Sequence, residues 1–365
     1  MLTIKTPYQY INEPGATLHA GQYIDDLKIG RHPLIIAGKS AAQALGSGFF
    51  SSLVKHGIHQ AANETFYGYP SQRQFDFYAS KAKENGADFI IGIGGGRVLD
   101  TAKATADILG LPVVTVPTVA ATCAAWAAVT IQYDDKGSYV RSRFNAKAPY
   151  LVIADPKIIF TAPERYLFSG VVDTFAKFYE VRPTYEQHPD DVPLALALEA
   201  SKIAFRNLEV NTFNAVKEAH KGIFGQAARD VIDAIIYLAG FAGSFKGDHA
   251  HYSFAHPFYH SSTRLIHTNI KLHGEKVAFG IITQLILEKK SDYEIKEALR
   301  IFNKYGAAFT LSDFALEKNQ DEDLTFLKKD ITHEFPYVPY TAGEIKSALL
   351  KADTITKDFL AEEKK

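Results

Sequence analysis

Phe89-Ile90-Ile91-Gly92-Ile93-Gly94-Gly95-Gly96-Arg97-Val98-Leu99-Asp100-Thr101-Ala102-Lys103 is the stretch on which the reading of this chain turns. An apolar run enters a turn that holds four glycines in five residues, and a segment of helical spacing leaves it. Glycines remove the side chains that would keep backbone N–H groups away from a bulky anion. The first turn of the following helix adds unpaired N–H donors and a partial positive charge. Strand, glycine turn and helix N-terminus together form a cradle for a pyrophosphate. A tight strand-to-helix turn without a ligand would carry the same letters.

Working outward, short apolar runs alternate with helical segments through the first 160 residues or so. Leu34-Ile35-Ile36-Ala37 is followed by Gly38-Lys39-Ser40 and a helical stretch, residues 64–69 read as a strand, and Pro112-Val113-Val114-Thr115-Val116 as another. Such runs, separated by helices, predict parallel strands covered on both faces. Residues 129–133 and 139–144 flank Asp134-Asp135-Lys136-Gly137, a hairpin signal. Tyr150-Leu151-Val152-Ile153-Ala154 returns to the parallel pattern. After about Pro156 strand signals nearly vanish, and residues 194–207, 225–245, 277–289 and 292–305 have helical spacing. The expected division is an α/β nucleotide-binding domain over 1–157 and an all-α metal- and substrate-binding domain over 158–365.

Composition narrows the function. The chain has 365 residues and a formal net charge of −1, so no global field draws it to nucleic acid or to a membrane surface. Its single cysteine, Cys123, excludes internal disulfides and thiolate metal clusters and fits a reducing compartment. The first residues do not read as a signal peptide, and no apolar run approaches the ~18 residues that span a bilayer. The expectation is a soluble, cytoplasmic globular protein acting on a small molecule.

The glycine cluster does not follow the first strand, so the usual dinucleotide fingerprint does not fit, and no Gly-Lys-Ser/Thr closes it as a phosphate loop would. Histidine supplies the second constellation: six of 13 fall between His249 and His273. His256 and His260, four apart, share one face of a helix. Imidazole with a carboxylate suits zinc or ferrous iron, and a catalytic site needs about three protein ligands with one position open. Surface or hydrogen-bonded core histidines are the plainer alternative. His249, His251 and His267 carry no role that the sequence can argue.

Gly94-Gly95-Gly96 with Asp100 and Lys103 resembles the Gly-Gly-Gly-x-x-x-Asp-x-x-Lys of the iron-containing alcohol dehydrogenase superfamily, most closely its glycerol dehydrogenase branch. Pro117-Thr118 and Thr122, Gly170-Val171-Val172-Asp173, Ala255-His256 and His273-Gly274-Glu275-Lys276-Val277-Ala278-Phe279-Gly280 are similar to further segments of that branch, in order, from about residue 30 to 285. The resemblance implies a Rossmann-like N-terminal domain, a helical C-terminal domain of dehydroquinate synthase-like architecture, and a homo-oligomer. It implies a nicotinamide on Gly38, Lys39, Gly94, Gly95, Gly96, Arg97, Asp100, Thr118, Thr122, Ala127, Val129 and Tyr133, and one divalent metal, zinc or iron, on Asp173, His256 and His273. The implied activity is hydride transfer between NAD(P)H and a small carbonyl or alcohol.

Three departures from that family bear on substrate and cofactor. Cys123 stands where glycerol dehydrogenases carry a substrate-binding aspartate, which leaves an apolar wall with Trp126 and argues against glycerol. Gly38, followed by Lys39, stands where an aspartate often holds the adenosine ribose, which favours NADP. Lys177, four residues after Asp173, stands where other branches place a further metal histidine. It would suit a substrate carboxylate, hence a 2-oxo or 2-hydroxy acid, or it simply pairs with the surroundings of Asp173. His260 has the intrinsic pKa for a proton relay; an ordinary helix-face histidine is the alternative. A lyase of the dehydroquinate synthase type would need cations for a phosphate, for which Arg264 and Lys271 are candidates.

Overall fold

The computed structural model describes residues 3–246, 253–316 and 320–364. Its centre is a six-stranded sheet built from β1 (Gln9–Asn12), β2 (Pro33–Gly38), β3 (Ala62–Phe66), β4 (Phe89–Gly94), β5 (Val113–Pro117) and β8 (Leu151–Ala154). The spatial order is β1-β8-β5-β4-β2-β3, and every pairing is parallel. The hairpin strands β6 (Val129–Tyr133) and β7 (Tyr139–Phe144) form a separate antiparallel pair.

The continuous apolar runs follow from burial on both faces. Ile35, Ile91, Ile93 and Val114 face one layer and pack with Phe49 and Leu53 of α1 (Lys39–Lys55). Their neighbours Leu34, Ile36, Ile90 and Val113 face the other, with Tyr78 and Ala82 of α2 (Gln72–Glu84) and Val98 and Ala102 of α3 (Gly96–Leu109). From β2 the chain moves outward to β3, returns to β4, and then runs the opposite way through β5 to β8. The reversal lies between β2 and β4, where Ala37 pairs with Ile93. Gly38 and the glycine turn therefore sit side by side at the carboxyl ends of adjacent strands, where open α/β sheets bind ligands.

Beyond β8 the chain is mostly helical: α4 (Glu164–Gln187), α5 (Val192–Ala219), a broken helical run over 226–242, α6 (Ala255–Ser262), α7 (His273–Leu287), α8 (Asp292–Lys304), α9 (Gln320–Glu334) and α10 (Ala342–Glu362). The long helix expected over 225–245 is interrupted by a π-helical turn at Asp233–Leu238 and ends at Ala242, and Phe245–Lys246 pairs antiparallel with Thr3–Ile4. Within that turn Asp233 accepts hydrogen bonds from Tyr10 (2.8 Å) and Asn12 (2.7 Å), tying β1 to the helical part. No helix among the described residues is long and apolar enough to cross a membrane.

Candidate active site

The cradle is built as its glycines require. Gly94 has φ +155°, and a Cβ there would lie 2.8 Å from Val98 Cγ2, so only glycine fits without strain. Gly95 caps α3 without a side-chain bond, and Thr118 N–H fixes the turn by donating to Gly94 O at 3.1 Å. A Cβ on Gly96 would stand 3.6 Å from Thr122 Oγ1, so the 122–124 loop borders the cradle, and Thr122 Oγ1 accepts from Ala124 N–H at 3.2 Å. The exposed Arg97 guanidinium lies 4.1 Å from the Tyr69 ring centroid. Gly38 is the extended cap of α1, and Lys39 is exposed at that helix's first position.

Four residues expected to bind cofactor also serve the fold, through the groups that the structure engages. Asp100 is buried, pairs with Lys103 Nζ at 2.9 Å and accepts from Ile131 N–H at 3.0 Å. Lys103 in turn donates to Ala127 O at 2.9 Å and to Val129 O. A buried charge requires such partners, so the Asp100 carboxylate and the Ala127 and Val129 carbonyls form a strut that carries the loop and β6 on α3. Tyr133 hydroxyl pairs with Tyr259 hydroxyl at 2.8 Å, which bridges β6 and α6.

Asp173, His256 and His273 arrive on three helices, and their ligand atoms all lie within 4.8 Å of one another. Glycines permit the approach. A Cβ on Gly274 would lie 1.9 Å from Ser169 O, and one on Gly280 would lie 2.7 Å from Ala255 Cα, so α7 touches α4 beside Asp173 and α6 beside His256. A Cβ on Gly170 would meet Ala120 O at 2.0 Å, which seats α4 directly against the loop after β5. His273 Nε2 and His256 Nε2 are 3.0 and 3.5 Å from Asp173 Oδ1. Bonds of about 2.0–2.1 Å in tetrahedral geometry put ligand atoms about 3.4 Å apart, so the donor set fits zinc or another small divalent ion.

Glu180, which the sequence reading missed, completes this set. His256 Nδ1–H donates to Glu180 Oε1 at 2.6 Å, which directs Nε2 toward Asp173. Burial opposes the charge on Glu180, but His256 and then Lys177 outweigh it and hold the carboxyl down at about 2. Burial likewise opposes the Asp173 anion, and Lys177 and His273 hold its pKa well below the usual range. For His256, burial lowers the pKa, while Glu180 and Asp173 raise it above its ordinary value. His273 is lowered by burial despite Asp173. The signal was legible: Asp173, Lys177 and Glu180 recur at helical spacing on one face of α4. Tyr259 was also missed; its ring stands edge-on at 4.1 Å to His273.

Lys177 Nζ lies 3.3 Å from His256 Nε2 and 4.0 Å from Asp173 Oδ1. Burial works against its charge, but Asp173 and Glu180 raise its pKa, so it remains an ammonium. The Cys123 thiol is pushed up by burial and feels the charges of Lys177 and Asp173, so it is a neutral wall group rather than a thiolate. Trp126 is buried against Tyr10 and Tyr237, with ring centroids 5.7 and 5.0 Å away, and over Gly240, where a Cβ would meet its ring at 2.5 Å. His260 stacks on Tyr139 at 3.9 Å, 6.3 Å from the His256 ring. Burial and then the nearby histidines hold its pKa well below the ordinary value, so it is neutral and a weak base.

Among the described residues, the others singled out in the sequence have partners of their own. His267 pairs with Asp323 at 3.0 Å, and His249 and His251 fall outside the described residues. Arg264 is paired with Asp330 and Glu334, and Lys271 lies 4.0 Å from Asp313 and over the Phe309 ring. The cations that a phosphate-binding lyase would need are thus engaged by acids. Among the described residues the triad is the one group of three or more His, Cys, Asp or Glu able to hold a metal.

Comparison with known proteins gives consistent findings. The model of the family described as iron-containing alcohol dehydrogenase matches residues 7–156. Hydroxycarboxylate dehydrogenase A of Escherichia coli (strain K12) is 30% identical over 356 residues, 95% of this chain and 96% of its own. Glycerol dehydrogenase of Citrobacter freundii is 28% identical over 98% of this chain and 99% of its own. A crystal structure of a probable glycerol dehydrogenase from Sinorhizobium meliloti 1021 superposes with a TM-score of 0.86 at 23% identity, covering 98% of this chain and 99% of that one.

Proposed function

This chain belongs to the iron-containing alcohol dehydrogenase family, in its glycerol dehydrogenase-like branch, and from that premise we propose that it reduces a small 2-oxo acid, or oxidises the matching 2-hydroxy acid, with NAD(P) at the Asp173–His256–His273 site. A divalent metal bound there would supply Lewis acidity toward the substrate oxygen, and a nicotinamide would supply or accept the hydride. The chain's own residues do the rest. Glu180 holds His256 in the tautomer that presents Nε2, and the Gly94–Gly96 turn with the start of α3 holds the pyrophosphate. The His260 ring stands 6.3 Å from the His256 ring and is held neutral by burial, so its low basicity makes it a weak acceptor for the proton released when an alcohol is oxidised.

The observation that carries the substrate class is the Lys177 ammonium, 3.3 Å from a ligand nitrogen and charged in this setting. A cation beside the reacting oxygen suits a carboxylate one carbon away. Cys123 offers only a weak sulfur acceptor for a polyol hydroxyl. The relative named a hydroxycarboxylate dehydrogenase supports this reading, and the one named a glycerol dehydrogenase supports a polyol as the second. Lys39, exposed beside the Gly38 cap, favours NADP through attraction of a 2′-phosphate. Zinc is favoured over iron because the hydride step needs no redox-active metal.

The test is NADPH and NADH turnover against aldehydes, polyols and 2-oxo acids, with and without chelator, in the parent and in Lys177→Ala. Loss of one charged contact predicts a rise in KM for the oxo acid of about 10–100-fold, with a neutral aldehyde within about threefold. Equal effects on both substrates, or no carbonyl turnover at all, would sink the proposal.

A further inference from the structure

We propose that Tyr133 and Tyr259 are positioning residues for His273: the bond between their hydroxyls, made from β6 to α6, holds the Tyr259 ring against the imidazole, so that metal affinity is set in part from the cofactor half of the chain. The inference rests on the reading of Asp173, His256 and His273 as a metal site. The two histidines of that site are held in different ways. For His256, Glu180 accepts from Nδ1–H. For His273, Nε2 faces Asp173 at 3.0 Å, and among the described residues no acceptor reaches Nδ1. The backbone of His273 is fixed at the start of α7, where Gly274 N–H donates to Ser169 Oγ at 3.0 Å. A fixed backbone still leaves the ring free to turn about its side-chain bonds.

Packing supplies the missing restraint. The Tyr259 ring stands 4.1 Å from the His273 ring at 76°, inside the spacing of about 4.5–7 Å usual for aromatic pairs, so the imidazole cannot turn without displacing it. Tyr259 in turn is held at its far end, where its hydroxyl and that of Tyr133 lie 2.8 Å apart. Burial raises the pKa of both phenols, so the pair is a neutral O–H···O bond. Tyr133 is itself fixed. Its N–H donates to Pro70 O at 3.0 Å, and its ring lies 5.9 Å from that of Tyr69, against which Arg97 and Gly137 pack. In the same strand Val129 O accepts from Lys103 Nζ, and Ile131 N–H donates to Asp100. The restraint on His273 therefore runs from α3, at the cradle, through β6 and the two phenols to the start of α7.

The experiment is zinc titration of the full chain against a chromophoric chelator, in the parent, Tyr133→Phe, Tyr259→Phe, Tyr133→Phe/Tyr259→Phe and Tyr259→Leu. Tyr133→Phe and Tyr259→Phe each keep the ring and lose the bond, and zinc affinity falls by about 3–10-fold. The double variant is no worse than the weaker single one, because both changes remove the same bond. Tyr259→Leu removes the ring and weakens zinc by about 10–100-fold. Cobalt(II) in place of zinc gives a readout that a merely structural bond would not move: its visible absorption, which reports ligand geometry, changes in Tyr133→Phe although Tyr133 is no ligand. Parent-like zinc affinity and cobalt spectrum in both single variants overturn the proposal, even where their thermal midpoints fall. Losses that add in the double variant overturn the shared-bond arrangement. A parent that binds no zinc overturns the metal-site reading and this inference together.

Discussion

Replacing Glu180 by Gln keeps the shape of the side chain and removes its charge. In the structure the carboxylate accepts from His256 Nδ1–H at 2.6 Å, with only 6% of the Glu180 side chain exposed. A charge-assisted bond of this kind contributes about 1.5–3 kcal/mol. The amide can still accept, but it can also turn its NH2 toward Nδ1 and so favour the wrong tautomer, with the lone pair directed away from Asp173. The expected loss of metal affinity is therefore about 10–100-fold. Competition between the protein and a chromophoric chelator, titrated with zinc, measures it directly. Turnover at saturating zinc should recover most of the parent rate, because the ligands themselves are intact. Zinc affinity within twofold of the parent, with unchanged circular dichroism, would refute the claim that Glu180 orients His256.

Three other outcomes follow from the same geometry. Gly274→Ala should lower stability by about 3 kcal/mol or more, because its Cβ would enter Ser169 O at 1.9 Å and push α7 from α4; a thermal midpoint within about 2 °C of the parent would contradict this. Lys276 is buried, donates to Thr268 and Asn269, and is pushed by burial down to about 7, whereas the unfolded chain holds its proton to about 10.4. Between those pH values the unfolded state binds the extra proton, so parent stability should rise with pH, relative to Lys276→Met, by up to about 1.4 kcal/mol per unit, and then level off below about 7; parallel urea-unfolding curves across that window would refute it. Lys39→Ala should weaken NADPH binding by about three- to tenfold and leave NADH within twofold, read by fluorescence titration at low salt.

Much of the site was legible because each part has a local signature. The glycine turn needs a residue tolerant of φ +155° at Gly94, and a Cβ at Gly92 would lie 2.6 Å from Ala102 Cβ, so glycine is required at both. Asp173, His256 and His273 could be named from motifs that also contain Gly170, Gly274 and Gly280, which the structure shows to be the contact points between helices. What one dimension leaves out is the surroundings of each side chain. Asp100 looks like a ligand group in one dimension, yet Lys103 and Ile131 N–H hold it inside the fold. Arg264 and Lys271 look like phosphate cations until their acidic partners are seen.

By itself the sequence determined the parallel sheet and the helical second half, and it singled out the three candidate metal donors. Those depend on periodicity, on glycine, and on residue types that have few substitutes. Only the tertiary structure decided that Glu180 fixes His256, that Lys177 remains charged beside the donors, and that His260 is neutral between aromatic rings. These are properties of distance and burial between segments up to about 120 residues apart, and electrostatic energies at a few ångströms change severalfold with both. The stretch from Phe89 to Lys103 specified where an anion can rest; the packing of α4, α6 and α7 specified what stands opposite it.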